Sequence, residues 1–315
     1  MAKAPATFRP MLAGECKNQD ELNYPGLVSP KLDGIRCIMH PKLGPVSRNL
    51  KPIPNKYIRS KLSKLMTPSD ISGAPAFDGE LIAGDPRKPD TWNTSTSAIM
   101  SEAGRPDFTF FVFDVAFMPD PNTVFKRRYA ATESLVNIWS DGQPWLQLVR
   151  HQLVYNKRQV KLFEDTCLEE GYEGIMWRSL DGPYKQGRST WREQYLLKIK
   201  RFFDTEGTIV GFEEKMHNAN VAKSSKLGYT ERSSHKANMV PMGTLGALNI
   251  RTQNLPNTGM LPTEFNIGTG FDDGQRAEIW RNRKKYLGRT IKFKYQKLSP
   301  DGNPIFPVFL GFRED

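Results

Sequence analysis

Lys31-Leu32-Asp33-Gly34-Ile35-Arg36 is the stretch on which the reading of this chain turns. An apolar run and Pro30 lead into it. An alternating segment, Ile35 to Met39, leaves it, so the lysine stands at a turn before a strand. Lysine is a covalent nucleophile only as the neutral amine, a form that desolvation or neighbouring cations favour. Gly34 permits a strained turn or the close approach of a ligand. Arg36 falls on the same strand face as Gly34. A surface turn can carry the same hexapeptide, so the motif needs companions before it means anything.

Three companions lie downstream. Phe77-Asp78-Gly79-Glu80-Leu81 and Tyr172-Glu173-Gly174-Ile175-Met176 each offer a carboxylate near the end of a short strand. Two such carboxylates can hold a divalent cation beside a polyphosphate, or can simply be solvated strand ends. Leu196-Leu197-Lys198-Ile199-Lys200 sets two lysines on one face of an apolar strand, which suits either a phosphate or an amphipathic edge. Gly182 to Ser189 has the spacing of a P-loop, but Arg188 stands where that motif requires lysine. Pro183 and Tyr184 stiffen the loop, and the segment that follows reads as strand rather than helix. The four histidines are scattered, and Cys16, Cys37 and Cys167 form no CxxC pair, which excludes a sequence-visible zinc cluster or Ser-His-Asp arrangement.

Around these motifs the texture is that of a mixed α+β chain without regular βαβ alternation. Strands are expected at Phe108 to Phe117, Tyr172 to Arg178 and Tyr195 to Ile199, and helices at Asn55 to Met66 and from an Asn156 cap to Glu170. After about residue 202 short strand signals recur, at Thr208 to Glu213, Thr244 to Arg251, Glu264 to Ile267, Thr290 to Tyr295 and Val308 to Phe312. One helix, Gln275 to Tyr286, precedes the fourth. Five strands and one helix match a small OB-type barrel. A polar, basic insert from Lys215 to Val240 separates the first two strands, and loops of that length are commonly functional. The 315 residues carry a formal charge of +11, compatible with a nucleic-acid partner or with a merely basic surface. The sequence has no apolar run long enough to span a membrane and no apolar leader, so no membrane association and a cytoplasmic setting in a bacterial or virus-infected cell are expected.

Taken in order, these segments resemble the covalent nucleotidyltransferases, a group comprising DNA ligases, RNA ligases and mRNA capping enzymes. Within it the chain is similar to the minimal ATP-dependent DNA ligases of phages and large DNA viruses. The stretches that carry the likeness are SPKLDGIR from Ser29, SRNLKPIPN from Ser47, and PYKQGRSTWREQYLLKIKRF from Pro183. In the second half they are GYTERSSHK from Gly228, IGTGFD from Ile267 and FPVFLGFRED from Phe306.

The resemblance implies an α+β fold: an ATP-grasp-like nucleotidyltransferase (adenylation) domain with antiparallel sheets over residues 1–201, and a C-terminal OB-fold β-barrel over residues 202–315. The insert at 215–240 corresponds to a DNA-contacting latch. The implied chemistry is attack of Lys31 on the α-phosphate of ATP, transfer of AMP to the 5′-phosphate of a nick, and sealing by the 3′-hydroxyl. Mg²⁺, or Mn²⁺ in its place, assists.

By the same resemblance, Ser29 and the backbone at Pro30 read the adenine edge, Phe113 stacks on the base and Met176 lies opposite it. Arg36 and Glu80 touch the ribose, Glu80 and Glu173 hold the metal, and Lys198 and Lys200 contact the α-phosphate. Arg48 and Arg188 grip the 5′-phosphate, with Arg36 also near the DNA, and Asp33 aligns the 3′ end. Lys223, Lys226, Arg232 and Lys236 are the basic residues of the latch. Phe113 also fits a plain core position, and Trp92 with Thr94 to Ser97 fits either a DNA contact or a packed loop. Ser29 stands where many of the family place an acid, and Ile305 where the final motif has arginine, leaving Arg313 or Lys297 as substitutes. The implied partner is nicked double-stranded DNA, encircled by a monomer. An RNA ligase, a GTP-using capping enzyme and a catalytically silent DNA clamp are the competing expectations.

Overall fold

The structure is a computed structural model that describes residues 8–65, 76–226, 229–253, 255, 263–299 and 301–313. Met66, Gly228, Glu314 and Asp315, which belong to segments named above, lie outside the described residues. The chain divides into two compact units. One is Met1–Lys200 with Ser224–Tyr229; the other is Arg201–Lys223 with Thr230–Asp315.

Two five-stranded sheets build the first unit. In one, the strand order is Gly14–Glu15, Leu196–Ile199, Ile175–Ser179, Gly26–Pro30 and Gln152–Val154. In the other it is Gly44–Val46, Ile35–His40, Ala76–Ile82, Thr109–Ala116 and Leu146–Leu148. Most pairs are antiparallel; the pairing of Leu146–Leu148 with Thr109–Ala116 is parallel. The Lys31 to Gly34 turn carries the chain from the strand Gly26–Pro30 of one sheet to Ile35–His40 of the other, so the hexapeptide is the crossing between the two.

Each sheet has its own core. Val28, Trp177, Leu197 and Ile199 pack with Val160 and Cys167 of the helix Lys157–Glu169. Cys37, Leu81, Phe110 and Val112 pack with Ile58 and Leu62 of the helix Lys56–Ser63 and with Ile99. The second helix starts at the Asn156 cap expected from the sequence, and Asn55 caps the first: Asn55 accepts from the Ile58 N–H and Asn156 from the Gln159 N–H, satisfying donors that an opening turn leaves orphaned. Full burial of a side chain such as Trp177, Phe110 or Leu81 contributes about 1.5–3 kcal/mol each.

The second unit holds a five-stranded antiparallel sheet in the order Thr263–Ile267, Met239–Thr252, Phe203–Asn218, Thr290–Tyr295 and Val308–Phe312. The OB-type fold expected from the sequence is present, as an open sheet rather than a closed barrel. Among the described residues a single bridge, Thr269 to Val308, joins the two edges, so the ladder is open where a barrel would close. The topology is OB-like, and partly open barrels are normal for that fold.

The expected helix from Gln275 to Tyr286 is also two pieces, Asp273–Arg281 and Arg283–Tyr286, broken at Asn282. Asp272 and Gln275 form a reciprocal capping box at its start. The insert is less loop-like than its composition implies. The two long strands Phe203–Asn218 and Met239–Thr252 extend into it, and the short strands Ala222–Ser224 and Thr230–Arg232 pair at its tip. Trp92 and Thr94 to Ser97 lie on the helix Thr91–Met100, not in a loop; buried Ser95 accepts from the Ala83 N–H.

Candidate active site

Lys31 is fixed by its backbone before its side chain does anything. Its N–H donates to the Gly174 carbonyl at 2.9 Å, extending the pairing of Pro30 with Ile175. Ile175 in turn pairs with Ile199, so the next rung of the sheet sets Lys31, Gly174 and Lys200 side by side. Gly174 has φ +147°, and a Cβ there would lie 2.4 Å from the Ile199 oxygen, so this rung requires glycine. The neighbouring Glu173 carboxylate receives both ammonium groups, Lys31 on one oxygen and Lys200 on the other, and its side chain is only 6% exposed. Burial, then the Lys31 charge, pull the Lys200 ammonium below the usual lysine range, against the pull of Glu173.

A cleft of about 320 Å³ opens beside this rung. The rung one step back from Pro30 aligns buried Ser29 with Met176 and Met176 with Lys198, and all three line the cleft. Lys198 also pairs with Glu15 at 2.9 Å. Phe113 faces the cleft for a local reason. Asp78 pairs with Asp114 and Gly79 with Val112, which leaves Phe113 as the unpaired residue of a β-bulge. Strand alternation sets Phe113 opposite the buried row of Phe110, Val112 and Asp114, and the bulge leaves it without a cross-strand partner on Ala76–Ile82.

Arg36 lies over the Phe113 ring, its guanidinium carbon 4.7 Å from the centroid. Its Nη2 donates to Asp78 at 2.6 Å and to the Met11 carbonyl at 3.2 Å. Asp78 also accepts from the Tyr184 hydroxyl at 2.6 Å. Glu80 pairs with Arg36 across the adjacent strands and lines the same cleft. Burial pushes the Glu80 carboxyl up to about 7, with Arg36 and Lys31 opposing and Asp33 assisting. Gly34 belongs to this arrangement: a Cβ on it would lie 2.3 Å from the Leu81 oxygen.

Several residues here were missed in reading the sequence. Asp114 is fully buried and accepts from Arg128 Nε at 2.9 Å and from Arg178 Nη1 at 2.9 Å. Burial alone would raise its carboxyl, but the Arg128 and Arg178 charges outweigh that and hold it low. Arg178, Val149, His151 and Leu196 line the cleft. The available signal was a charge inside an apolar strand, as in Phe110 to Ala116 and Ile175 to Arg178, because a buried charge demands a partner. His151 gave no such signal.

The remaining candidates are distributed unevenly. Arg48 and Arg188 line the cleft, and Arg188 Nη1 donates to the Ala13 carbonyl at 2.7 Å. Asp33 sits in the crossing turn. Lys223 and Lys236 are exposed, Arg232 donates to the Asn220 carbonyl, and Lys226 pairs with Glu102 at 2.9 Å. Arg313 pairs with Glu206, and Lys297 pairs in register with Ile305. Among the described residues no three metal-binding side chains cluster. Glu80 and Glu173 nevertheless fit Mg²⁺, which is commonly held by one or two carboxylates together with substrate phosphates. No helix among the described residues is long and apolar enough to cross a membrane.

Comparison with known proteins agrees with this architecture. The family model described as ATP dependent DNA ligase domain matches residues 10–200, and that described as DNA ligase OB-like domain matches residues 238–313. A probable DNA ligase of Dictyoglomus thermophilum is 24% identical over 257 residues, covering 77% of this chain and 40% of the relative. A DNA ligase of African swine fever virus is 24% identical over 244 residues, covering 76% and 51%. The chain thus spans about half the length, or less, of these curated relatives. The crystal structure of Chlorella virus DNA ligase-adenylate is 28% identical with TM-score 0.54, covering 98% of this chain and 100% of that one. A Lig E DNA ligase structure, 22% identical with TM-score 0.67 and covering 98% and 100%, shares the fold.

Proposed function

The chain belongs to the ATP-dependent DNA ligase family, and from that premise we propose that it seals nicks in duplex DNA through AMP carried covalently on Lys31. The observation that supports this most directly is the contact of Lys31 with Glu173, one rung position from Lys200, beside a cleft of nucleotide size.

In the first step the Lys31 amine forms a bond to the α-phosphorus of ATP, the bond from that phosphorus to the bridging oxygen breaks, and pyrophosphate leaves. Glu173, already the acceptor of a Lys31 hydrogen bond, takes up the amine proton. Lys198 and Lys200 face the α-phosphate, whose charge must be stabilised in place; phosphoryl transfer is governed mainly by positioning and electrostatics. Ser29 and the Pro30 backbone read the adenine edge, Phe113 and Met176 take its two faces, and Arg36 and Glu80 hold the ribose. Glu80 and Glu173 would hold Mg²⁺, which would neutralise charge on the phosphates. Asp78 and Tyr184 keep Arg36 in place.

In the second step the 5′-phosphate at a nick displaces Lys31 from AMP, and in the third the 3′-hydroxyl displaces AMP from that phosphate. Arg48 and Arg188 grip the 5′-phosphate and Asp33 aligns the 3′ end. Residues 1–201 act as the nucleotidyltransferase domain and 202–315 as the OB domain. The insert at 215–240 is a basic latch with which one monomer encircles DNA. The net charge of +11 supports this partner.

The test is sealing of a nicked duplex with ATP and Mg²⁺ by the intact chain and by Lys31→Ala, with the protein mass followed in parallel. The intact chain gains one AMP and seals; Lys31→Ala does neither. An AMP adduct on Lys31→Ala, or labelling by GTP alone, would overturn the proposal.

A further inference from the structure

The two sheets of the first unit are joined a second time by three residues, Val149, Arg150 and His151. They run from the strand Leu146–Leu148 of one sheet to Gln152–Val154 of the other. Val149 donates its N–H to the Val112 carbonyl at 2.8 Å, which keeps it beside Phe113. Gln152 pairs with Val28, so one further step along that antiparallel ladder brings His151 level with Ser29. Val149 and His151 both line the cleft, together with Ser29, Pro30, Phe113 and Met176. This crossing therefore lies where the edge of a base stacked on Phe113 would meet the protein.

The His151 ring is held in one orientation and one tautomer. Its Nδ1 lies 3.0 Å from the Val149 carbonyl; a carbonyl only accepts, so Nδ1 carries the proton. The His151 backbone N–H donates to the Tyr129 hydroxyl at 3.0 Å. The ring meets Tyr129 and Phe125 edge-on, with centroids 4.6 and 5.3 Å away. Burial, then the Arg178 charge, push the imidazole down to about 3, so it is neutral under working conditions. With Nδ1 protonated, Nε2 presents a bare lone pair. Among the described residues no protein group donates to it.

A hydrogen-bond acceptor fixed at the edge of a base pocket selects for a donor. We propose that His151 Nε2 accepts from the exocyclic amine of adenine and is a specificity-determining residue for ATP over GTP. Guanine carries a carbonyl at the equivalent ring position, which would set two acceptors against each other. The Ser29 hydroxyl, level with His151, both donates and accepts, and so does not by itself separate an amine from a carbonyl. The inference rests on the nucleotide site proposed above and names what chooses the base there.

The experiment measures AMP-type adduct formation by the full chain with three nucleotides: ATP, GTP and the triphosphate of purine riboside, which lacks the amine. Wild type is expected to prefer ATP to the amine-less nucleotide by about tenfold or more in kcat/KM, since a polar group left unmatched in a site costs affinity. His151→Phe should lose about tenfold with ATP and little with the amine-less nucleotide, so that the preference collapses. His151→Asn, whose carboxamide oxygen can accept, should retain part of the preference. An equal fall of His151→Phe with both nucleotides would mark a packing role and overturn the proposal. So would a wild-type chain that uses both equally well, a result independent of whether the variants fold. A wild-type chain labelled by no nucleotide overturns the ligase reading and this inference with it. Labelling without regard to the amine overturns this inference alone.

Discussion

Lys31 Nζ donates to Glu173 Oε2 although the two residues are 142 positions apart, and the register of two antiparallel strand pairs brings them together. The same carboxylate holds Lys200 on its other oxygen. Removing its charge therefore takes away both the proton acceptor for Lys31 and the anchor that separates two cations. Glu173→Gln should slow formation of the AMP adduct about 100-fold or more, the scale of a lost general base. The fold should be kept, because the amide still accepts one hydrogen bond. Time courses of labelled AMP incorporation, read beside an unchanged circular dichroism spectrum, check this; a rate within a few-fold of wild type would remove Glu173 from the chemistry.

Glu80 offers a test through pH. Its folded value, about 7, lies above the ordinary 4.5 because burial disfavours the carboxylate. The folded chain therefore binds a proton that the unfolded chain releases. The associated stability is fully present below about pH 4.5 and is lost as pH rises through about 7. Glu80→Gln abolishes that titration, so its Tm should exceed that of wild type at pH 8 and match it at pH 5. Thermal unfolding of the nucleotide-free protein at both values decides the matter. An offset that does not change with pH would mean that Glu80 is not the titrating group.

Asp114 makes the strongest stability prediction. It is fully buried and serves two guanidiniums, Arg128 and Arg178, both themselves buried. Asp114→Asn leaves two interior cations facing a neutral amide, and breaking a buried pair of this kind costs about 3–5 kcal/mol. The urea midpoint should fall accordingly. A loss below about 1 kcal/mol would mean that the arginines find water or another partner. Arg178 also lines the cleft, so nucleotide affinity should fall at urea concentrations where the variant is still folded.

How much of this was legible in the sequence depended on whether the signal was local. Asn156 caps its helix by a bond to a residue three positions on, and that was readable, as was the start of a helix at Asn55. The likeness of the ordered motifs named the family, and the lysines at 198 and 200 were readable as a same-face pair. The bulge at Phe113 was not, because it exists only in the offset between two strands. Nor was the pairing of Asp114 with Arg178, 64 residues away. The break at Asn282 escaped as well: periodicity reports which face is buried, not where a helix is interrupted. His151 gave no sequence signal because its role follows from the register of the strand after it.

The insert gives the last prediction. Lys223 and Lys236 are exposed, whereas Arg232 is engaged with the Asn220 carbonyl and Lys226 with Glu102. If the insert acts as the proposed latch, its exposed ammonium groups displace counterions from phosphates, and each phosphate neutralised contributes about 0.9 to the slope of log affinity against log salt on duplex DNA. Replacing both lysines by alanine should thus lower that slope by about 2. AMP-adduct formation, whose residues lie in the first unit, should stay at the wild-type rate. Titration of a nicked duplex from low to moderate salt measures the slope, and the adduct assay serves as the control. An unchanged slope would mean that these lysines do not reach phosphate, and that DNA is gripped by other basic residues.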